Sequence, residues 1–338
     1  MNVLVTGATG IVGMPLVARL LDKGHHVRAL RRPSSLINRV EKAVRSATPE
    51  AMSRLEWVTG DVTDQDSLEQ ALEGIECVFH CAALVSFHPK DHEAMHRINA
   101  GGTANLVNAM LHCGTPRLVH VSSVAALGRL AGQPTDESTL FEEQPGTTAY
   151  ARSKHRAEME AWRGAAEGIP DGVVVVNPVI VIGPGDFSKS SGTLFDQVHK
   201  GLKWYPTGSN GFVHSGDVAE ACVSLGESTI RDERFVLCAE EWTYRDLMMA
   251  MAQRLGAPGP RWPVKPWMAG LAWRLSALGE TLLGIRAVAT RESLANTEAK
   301  HAYRGTKIAE WLPGWKYTPI ERAIELTASV FVQERSDP

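Results

Sequence analysis

The stretch TGATGIVG at residues 6–13 constrains this chain more than any other feature. It follows an apolar run, NVLV, and opens a segment, 14–21, whose apolar residues recur at helical spacing. Strand, glycine turn and helix in that order make the first turn of a parallel βαβ unit. Glycines at 7, 10 and 13 permit a tight turn and close backbone approach to a pyrophosphate. The helix that follows presents free N–H groups and the positive end of its dipole. Thr6, Gly7, Thr9, Gly10, Ile11, Val12 and Gly13 are therefore candidate contacts to a dinucleotide.

The rest of the first half repeats the alternation. Strands are expected at 26–30, 55–59, 77–81, 118–122 and 173–177, with helices at 66–72 and 91–113 between them. The last strand, VVVVN, is a continuous β-branched run, which suits burial on both faces of a sheet. The expected fold is α/β, a Rossmann-type doubly wound parallel sheet with a smaller, mostly helical C-terminal substrate region. Residues 1–180 form the dinucleotide-binding part, to which 212–238 return. Residues 181–211 and 239–338 form the smaller part.

Composition narrows the function classes. The chain has 338 residues, 35 Lys plus Arg against 38 Asp plus Glu, and a net charge of −3. No basic excess points to nucleic acid. Five cysteines stand at wide spacings without a CxxC, as expected of reduced thiols in the cytoplasm. An apolar strand begins at Asn2 with no charged residues before it, so no signal peptide is expected. The most apolar segment, 267–285, is interrupted by Arg274 and Glu280, so no membrane span is expected. The helix expected at 267–283 reads as core packing of the smaller region, with a pocket lid or membrane-surface contact as the functional alternative.

The end of the second strand bears on the cofactor. An acidic residue there would bind ribose hydroxyls, but the chain has Arg31 and Arg32. A guanidinium pairs with a 2′-phosphate through charge-assisted bonds, which favours NADP and leaves NAD as the alternative. Asp61, with Val62 after the third strand, is either an acceptor for the adenine amino group or a turn residue.

Tyr150 and Lys154 lie four residues apart in YARSK, on one helix face. An ammonium beside a phenol lowers the phenol pKa, so Tyr150 is expected to trade a proton with substrate. Ser123 follows the fifth strand, at the sheet end where open α/β folds bind ligands.

Together these stretches resemble the extended short-chain dehydrogenases/reductases, which include nucleotide-sugar epimerases, dihydroflavonol reductases and 3β-hydroxysteroid dehydrogenases. TGATGIVG, GDVTD, HCAA at 80–83, INAGGTANLV at 98–107, VHVSSVAALG at 119–128, YARSK at 150–154, NPVIVIGPGD at 177–186 and FVHSGDVAEA at 212–221 carry the resemblance over roughly the first 240 residues. It implies that Tyr150 is the general acid/base, that Lys154 holds the nicotinamide ribose and that Ser123, rather than Ser122, bonds the substrate oxygen. It also implies that Asn99 supports a proton-relay water. Ala82, Ala83, Pro178 and Ile180 would border the cofactor. A homodimer through a helix pair that includes the Tyr150 helix is implied as well. One departure stands out: many relatives have Arg before the proline of NPVIVIGPGD, and this chain has Asn177.

HEAMH at 92–96 matches the zinc-protease pattern HExxH. A third ligand is missing from the metzincin extension, which has Asn99 and Gly102 where Gly and His are needed, so no metal is expected. His80 and His120 are expected as packed core histidines. Trp204, Trp242, Met248, Trp262 and Trp267 point toward an apolar substrate. The expected activity is NADP-dependent hydride transfer between nicotinamide and a carbonyl or secondary alcohol of a small substrate. The alternatives are a nucleotide-sugar epimerase/dehydratase holding NAD tightly and a non-catalytic dinucleotide-binding protein.

Overall fold

Seven parallel strands form the main sheet: β1 (Asn2–Thr6), β2 (His26–Arg31), β3 (Leu55–Thr59), β4 (Cys77–His80), β5 (Leu118–Val121), β6 (Val173–Pro178) and β10 (Glu233–Leu237). Their order across the sheet is β10-β6-β5-β4-β1-β2-β3. Every residue of β4, β5 and β6 is buried, which is why these strands read as unbroken apolar runs. The computed structural model describes residues 1–47, 49–129, 132–189, 191–265, 268 and 297–336. The segment 267–283 thus lies outside the described residues, Met268 excepted.

Helices cover both faces of the sheet. On one, α1 (Gly13–Asp22) and α8 (Ser215–Glu227) contribute Val17, Leu20, Cys222 and Leu225 to a core with Val3, Val5 and Phe79. On the other, α3 (Gln65–Leu72), α5 (Gly102–Cys113) and α6 (Ala149–Ala166) contribute Leu68, Leu106, Met110 and Ala161. A further helix, α2 (Asn38–Ala47), lies between β2 and β3.

A third core lies beyond the main sheet. It joins β7 (Ile180–Ile182), α7 (Gly192–His199), β9 (Ser209–His214), α9 (Tyr244–Leu255) and α11 (Ile320–Ser336) through Phe195, Phe212, Met251 and Phe331. Strands β7 and β9, with β11 (Glu240–Thr243), form their own three-stranded sheet. Short β8 (Trp204–Tyr205) pairs with β12 (Trp262–Pro263), and α10 (Lys307–Trp311) packs near β10. Met248 lies in the third core, whereas Trp204 and Trp262 form an exposed pair with ring centroids 5.4 Å apart.

The stretch 91–113, expected as one helix, is divided. α4 (His92–Met95) runs into a π-helical turn, His96–Gly101, before α5. The turn faces α6, and Gly102 packs so tightly on Val62 that a Cβ there would lie 2.7 Å from Val62 Cγ2. A widened turn of this kind re-aims the side chains it carries. Here that side chain is Asn99.

Candidate active site

The strand order reverses between the adjacent strands β1 and β4, and ligands of open α/β sheets bind above such a switch point. Two loops meet there. Cys81 N–H donates to Thr6 O at 3.1 Å, and Ala82 N–H donates to Thr6 Oγ1 at 3.3 Å. Gly7 has φ +68°, and a Cβ on it would lie 2.6 Å from Ala82 N. On Gly13 a Cβ would lie 2.1 Å from Gly7 O. The turn therefore has no room for side chains at either position. A third segment arrives with Gly185, whose Cβ would sit 3.6 Å from Ile11. Thr9 and Ile11 are half-buried in the turn, Gly10 is exposed, and Val12 is buried.

Arg31 ends β2, and its Nε is buried without a hydrogen-bond partner. Arg32 is exposed, its N–H donating to Ser35 Oγ at 3.1 Å. Asp61 Oδ1 accepts from Thr63 N–H at 2.9 Å and Thr63 Oγ1 at 2.8 Å, so this oxygen caps its own turn. Val62 is buried, and its carbonyl accepts from Asn105 Nδ2 at 3.1 Å. Ala83 is exposed beside the half-buried Ala82. Pro178 is buried at the end of β6, and Ile180 is half-buried in β7.

Thr148 caps α6, its hydroxyl accepting from Ala151 N–H at 3.0 Å, so the helix starts just ahead of Tyr150. Burial raises the Tyr150 pKa, and hydrogen bonding with the Ser123 side chain opposes the rise. Phe87 packs edge-on against Tyr150 with ring centroids 6.0 Å apart. Lys154 is 2% exposed, and Nζ donates to Val121 O at 3.0 Å. Burial lowers its pKa to about 8, against the opposing charge of Glu158. The expected lowering of the Tyr150 pKa by Lys154 is absent. The ammonium is turned to the end of β5, and desolvation of the phenol dominates.

Ser122 and Ser123 part ways at the end of β5. Ser122 is buried and donates to Glu158 Oε2 at 2.6 Å. Ser123 is half-buried beside Tyr150, and its hydroxyl accepts from Ala125 N–H at 3.2 Å. Asn99 is 1% exposed. Its Nδ2 donates to Leu84 O at 3.0 Å and Ser153 Oγ at 2.9 Å, and its Oδ1 accepts from Leu84 N–H at 2.7 Å. Its side chain thus fastens the loop after β4 to α6. Asn177 is fully buried inside β6.

Sequence reasoning missed Phe87 and Glu158. Phe87 carries no spacing signal. Glu158 did carry one: it lies one helical turn beyond Lys154, in line with Tyr150. His92 opens α4 and His96 opens the π turn, where His96 Nε2 lies 3.4 Å from Arg156 Nη1. Among the described residues no three His, Cys, Asp or Glu side chains converge as a metal site requires. Among them, too, no helix is long and apolar enough to cross a membrane. All five cysteines are free thiols.

Comparison with known proteins places these features in a wider set. The sequence model of the family described as NAD dependent epimerase/dehydratase matches residues 3–238. The chain is 32% identical over 276 residues to sterol demethylase protein B of Methylococcus capsulatus, covering 80% of each chain. It is 30% identical over 298 residues to the 3 beta-hydroxysteroid dehydrogenase/Delta 5-->4-isomerase of Mycobacterium tuberculosis, covering 79% of this chain and 75% of that one. The crystal structure of gox2253 superposes with a TM-score of 0.78 at 31% identity and covers 98% of both chains.

Proposed function

Because the chain belongs to the NAD dependent epimerase/dehydratase family, whose members bind NAD(P), we propose that it is an NADP-dependent reductase or dehydrogenase acting on a carbonyl or secondary alcohol of an apolar, ring-bearing substrate. The observation that carries this reading is the convergence of Ser123, Tyr150 and Lys154 beyond the end of β5. The glycine turn, closed to any side chain at Gly7 and Gly13, fits a pyrophosphate. The buried, unpartnered Arg31 Nε fits a 2′-phosphate, and no acid at the end of β2 competes for it.

NADP supplies or takes the hydride when bound. Everything else falls to the chain. In reduction the Tyr150 hydroxyl gives its proton to the oxygen that develops negative charge, and Ser123 Oγ–H steadies that oxygen. In oxidation the same groups work in reverse. Lys154 holds a positive charge beneath the site and would hold the nicotinamide ribose of the bound cofactor. Asn99 keeps the loop after β4 in place through Leu84.

Two observations support the apolar substrate. Phe87 borders Tyr150, and Val85 on the same loop is 43% exposed. Relatives whose names refer to sterol and hydroxysteroid substrates point the same way.

The test has three parts. Fluorescence titration should give tighter binding of NADPH than of NADH, with the cofactor exchangeable. Tyr150→Phe should lower turnover roughly 100- to 10,000-fold while NADPH still binds. Turnover at the wild-type level would remove Tyr150 from the mechanism. Net loss of NADPH in step with substrate separates this reading from sugar epimerisation, which consumes none.

A further inference from the structure

We propose that Glu158 is a positioning residue with two separable tasks: it keeps Lys154 charged, and through Asn177 it fixes the backbone that presents Ser123. This rests on the reading of Ser123, Tyr150 and Lys154 as the reacting set.

Glu158 is 1% exposed on α6, one turn beyond Lys154. A carboxylate this deep needs its lone pairs filled. Oε2 accepts from Ser122 Oγ at 2.6 Å and from Asn177 Nδ2 at 2.7 Å. Oε1 accepts from Trp162 Nε1 at 3.3 Å and pairs with Arg234 Nη2 at 3.4 Å. Arg234 also lies over the Trp162 ring, 5.5 Å from its centroid. One side chain thereby joins α6 to the ends of β5 and β6 and to β10.

Asn177 carries the link onward. Its second amide hydrogen goes to Ser123 O at 3.1 Å. Both amide hydrogens face acceptors, so the amide orientation is fixed by its partners, and Oδ1 is left buried and unpartnered. The polar residue inside the otherwise apolar strand VVVVNP thus does a specific job. It hangs the Ser123 carbonyl from the carboxylate that also binds Ser122.

The electrostatic task follows from what surrounds Lys154. On α6 it feels the charge of Glu158, one turn on, and shares a helix face with Tyr150. From β4 and the loop after it come His80 and Cys81, and from β5 comes His120. Burial raises the Cys81 thiol to about 12 and lowers both imidazoles, so these three are neutral at working pH. Arg234 pairs with Glu158 Oε1 and is itself positive. The Glu158 carboxylate is what offsets desolvation of the Lys154 ammonium.

Three variants separate the tasks: Glu158→Gln, Asn177→Ala and Tyr150→Phe. Each is followed by kcat and KM from pH 6 to 10, by NADPH affinity over the same range, and by thermal melting. Glu158→Gln should move the high-pH limb of both activity and NADPH binding down by at least one pH unit. It should cost about fivefold or more in kcat at pH 8, where the wild-type ammonium is about half titrated, with part of the loss recovered at pH 6.5. Asn177→Ala should lower kcat several-fold at every pH with the limb and the NADPH affinity unmoved.

A wild-type limb in a folded Glu158→Gln overturns the electrostatic task. A wild-type kcat in Asn177→Ala overturns the positioning task, and that variant keeps the proposal open to refutation if Glu158→Gln does not fold. Retained turnover in Tyr150→Phe would instead sink the reading of the site on which both tasks rest.

Discussion

Thr6 Oγ1 and His80 Nδ1 lie 2.7 Å apart, joining the ends of β1 and β4 beneath the glycine turn. The partners settle the tautomer. Thr103 Oγ1 donates to Asn99 O at 2.7 Å, so it accepts from His80 Nε2–H at 3.0 Å. Nδ1 is then bare and accepts the Thr6 hydroxyl hydrogen, while the Thr6 oxygen takes the Ala82 N–H. A neutral imidazole thus bridges Thr6 at the end of β1 and Thr103 on α5, whose hydroxyl in turn holds the Asn99 carbonyl in the π turn. Burial and the nearby Lys154 charge lower its pKa to about 3.

His80→Leu should therefore cost about 1–3 kcal/mol near pH 7.5, because two buried threonine hydroxyls lose a partner. The cost should shrink on acidification. Between pH 6.5 and 3 the unfolded chain binds a proton at this imidazole that the folded chain refuses. The contribution of His80 to stability is complete above pH 6.5 and declines as pH falls through that window. Urea midpoints at pH 7.5 and pH 5 measure both terms, and a parallel offset between wild type and variant at the two pH values would refute the argument.

The glycine turn gives a graded expectation. A Cβ at position 13 would meet the Gly7 carbonyl oxygen at 2.1 Å, whereas one at position 10 would lie 3.2 Å from the same atom. Gly13→Ala forces backbone apart and should cost upwards of about 2 kcal/mol along with cofactor binding. Gly10→Ala needs a shift of only a few tenths of an ångström and should leave the melting temperature within about 3 °C of wild type. Melting curves of the two variants check the ranking.

Arg31→Ala should weaken NADPH binding tenfold or more, about 1.5–3 kcal/mol for a lost charge-assisted bond, and leave NADH unchanged. Arg32→Ala should do much less, because Arg32 is exposed. Equal losses for both dinucleotides would place Arg31 outside the phosphate site.

Lys154→Met should abolish turnover without destabilising the fold. The ordinary lysine pKa of 10.5 falls to about 8 on burial, so holding the cation at pH 7.5 costs folding free energy. Between about 8 and 10.5 the folded chain releases a proton that the unfolded chain keeps, and wild-type stability gains from the rise in pH. The variant should therefore melt at or above wild type at pH 7.5, with its advantage narrowing by pH 9.5. A fall in melting temperature at pH 7.5 would count against the buried charge as a net cost.

The first six strands were legible because their signals are local. Burial on both faces writes itself as unbroken apolar runs in β4, β5 and β6, and the glycines of 6–13 follow from one turn. The π turn was not legible. The apolar spacing of 91–113 suits one continuous helix, and the break comes from the packing of Asn99 against Leu84 and Ser153, which are distant in sequence. α2 was also missed, because its polar, strongly charged sequence leaves only a narrow apolar stripe, Val40 and Val44.

By itself the sequence determined the parallel βαβ order, the phosphate-binding turn and the shared helix face of Tyr150 and Lys154, since each rests on residues within a few turns of one another. Tertiary structure alone decided that Ser122 turns to Glu158, that Asn177 turns inward to the same carboxylate, and that Lys154 bonds Val121. Those outcomes depend on which carboxylate and which carbonyl the folded sheet brings within about 3 Å, the distance at which a hydrogen bond forms. Chain spacing carries no record of it.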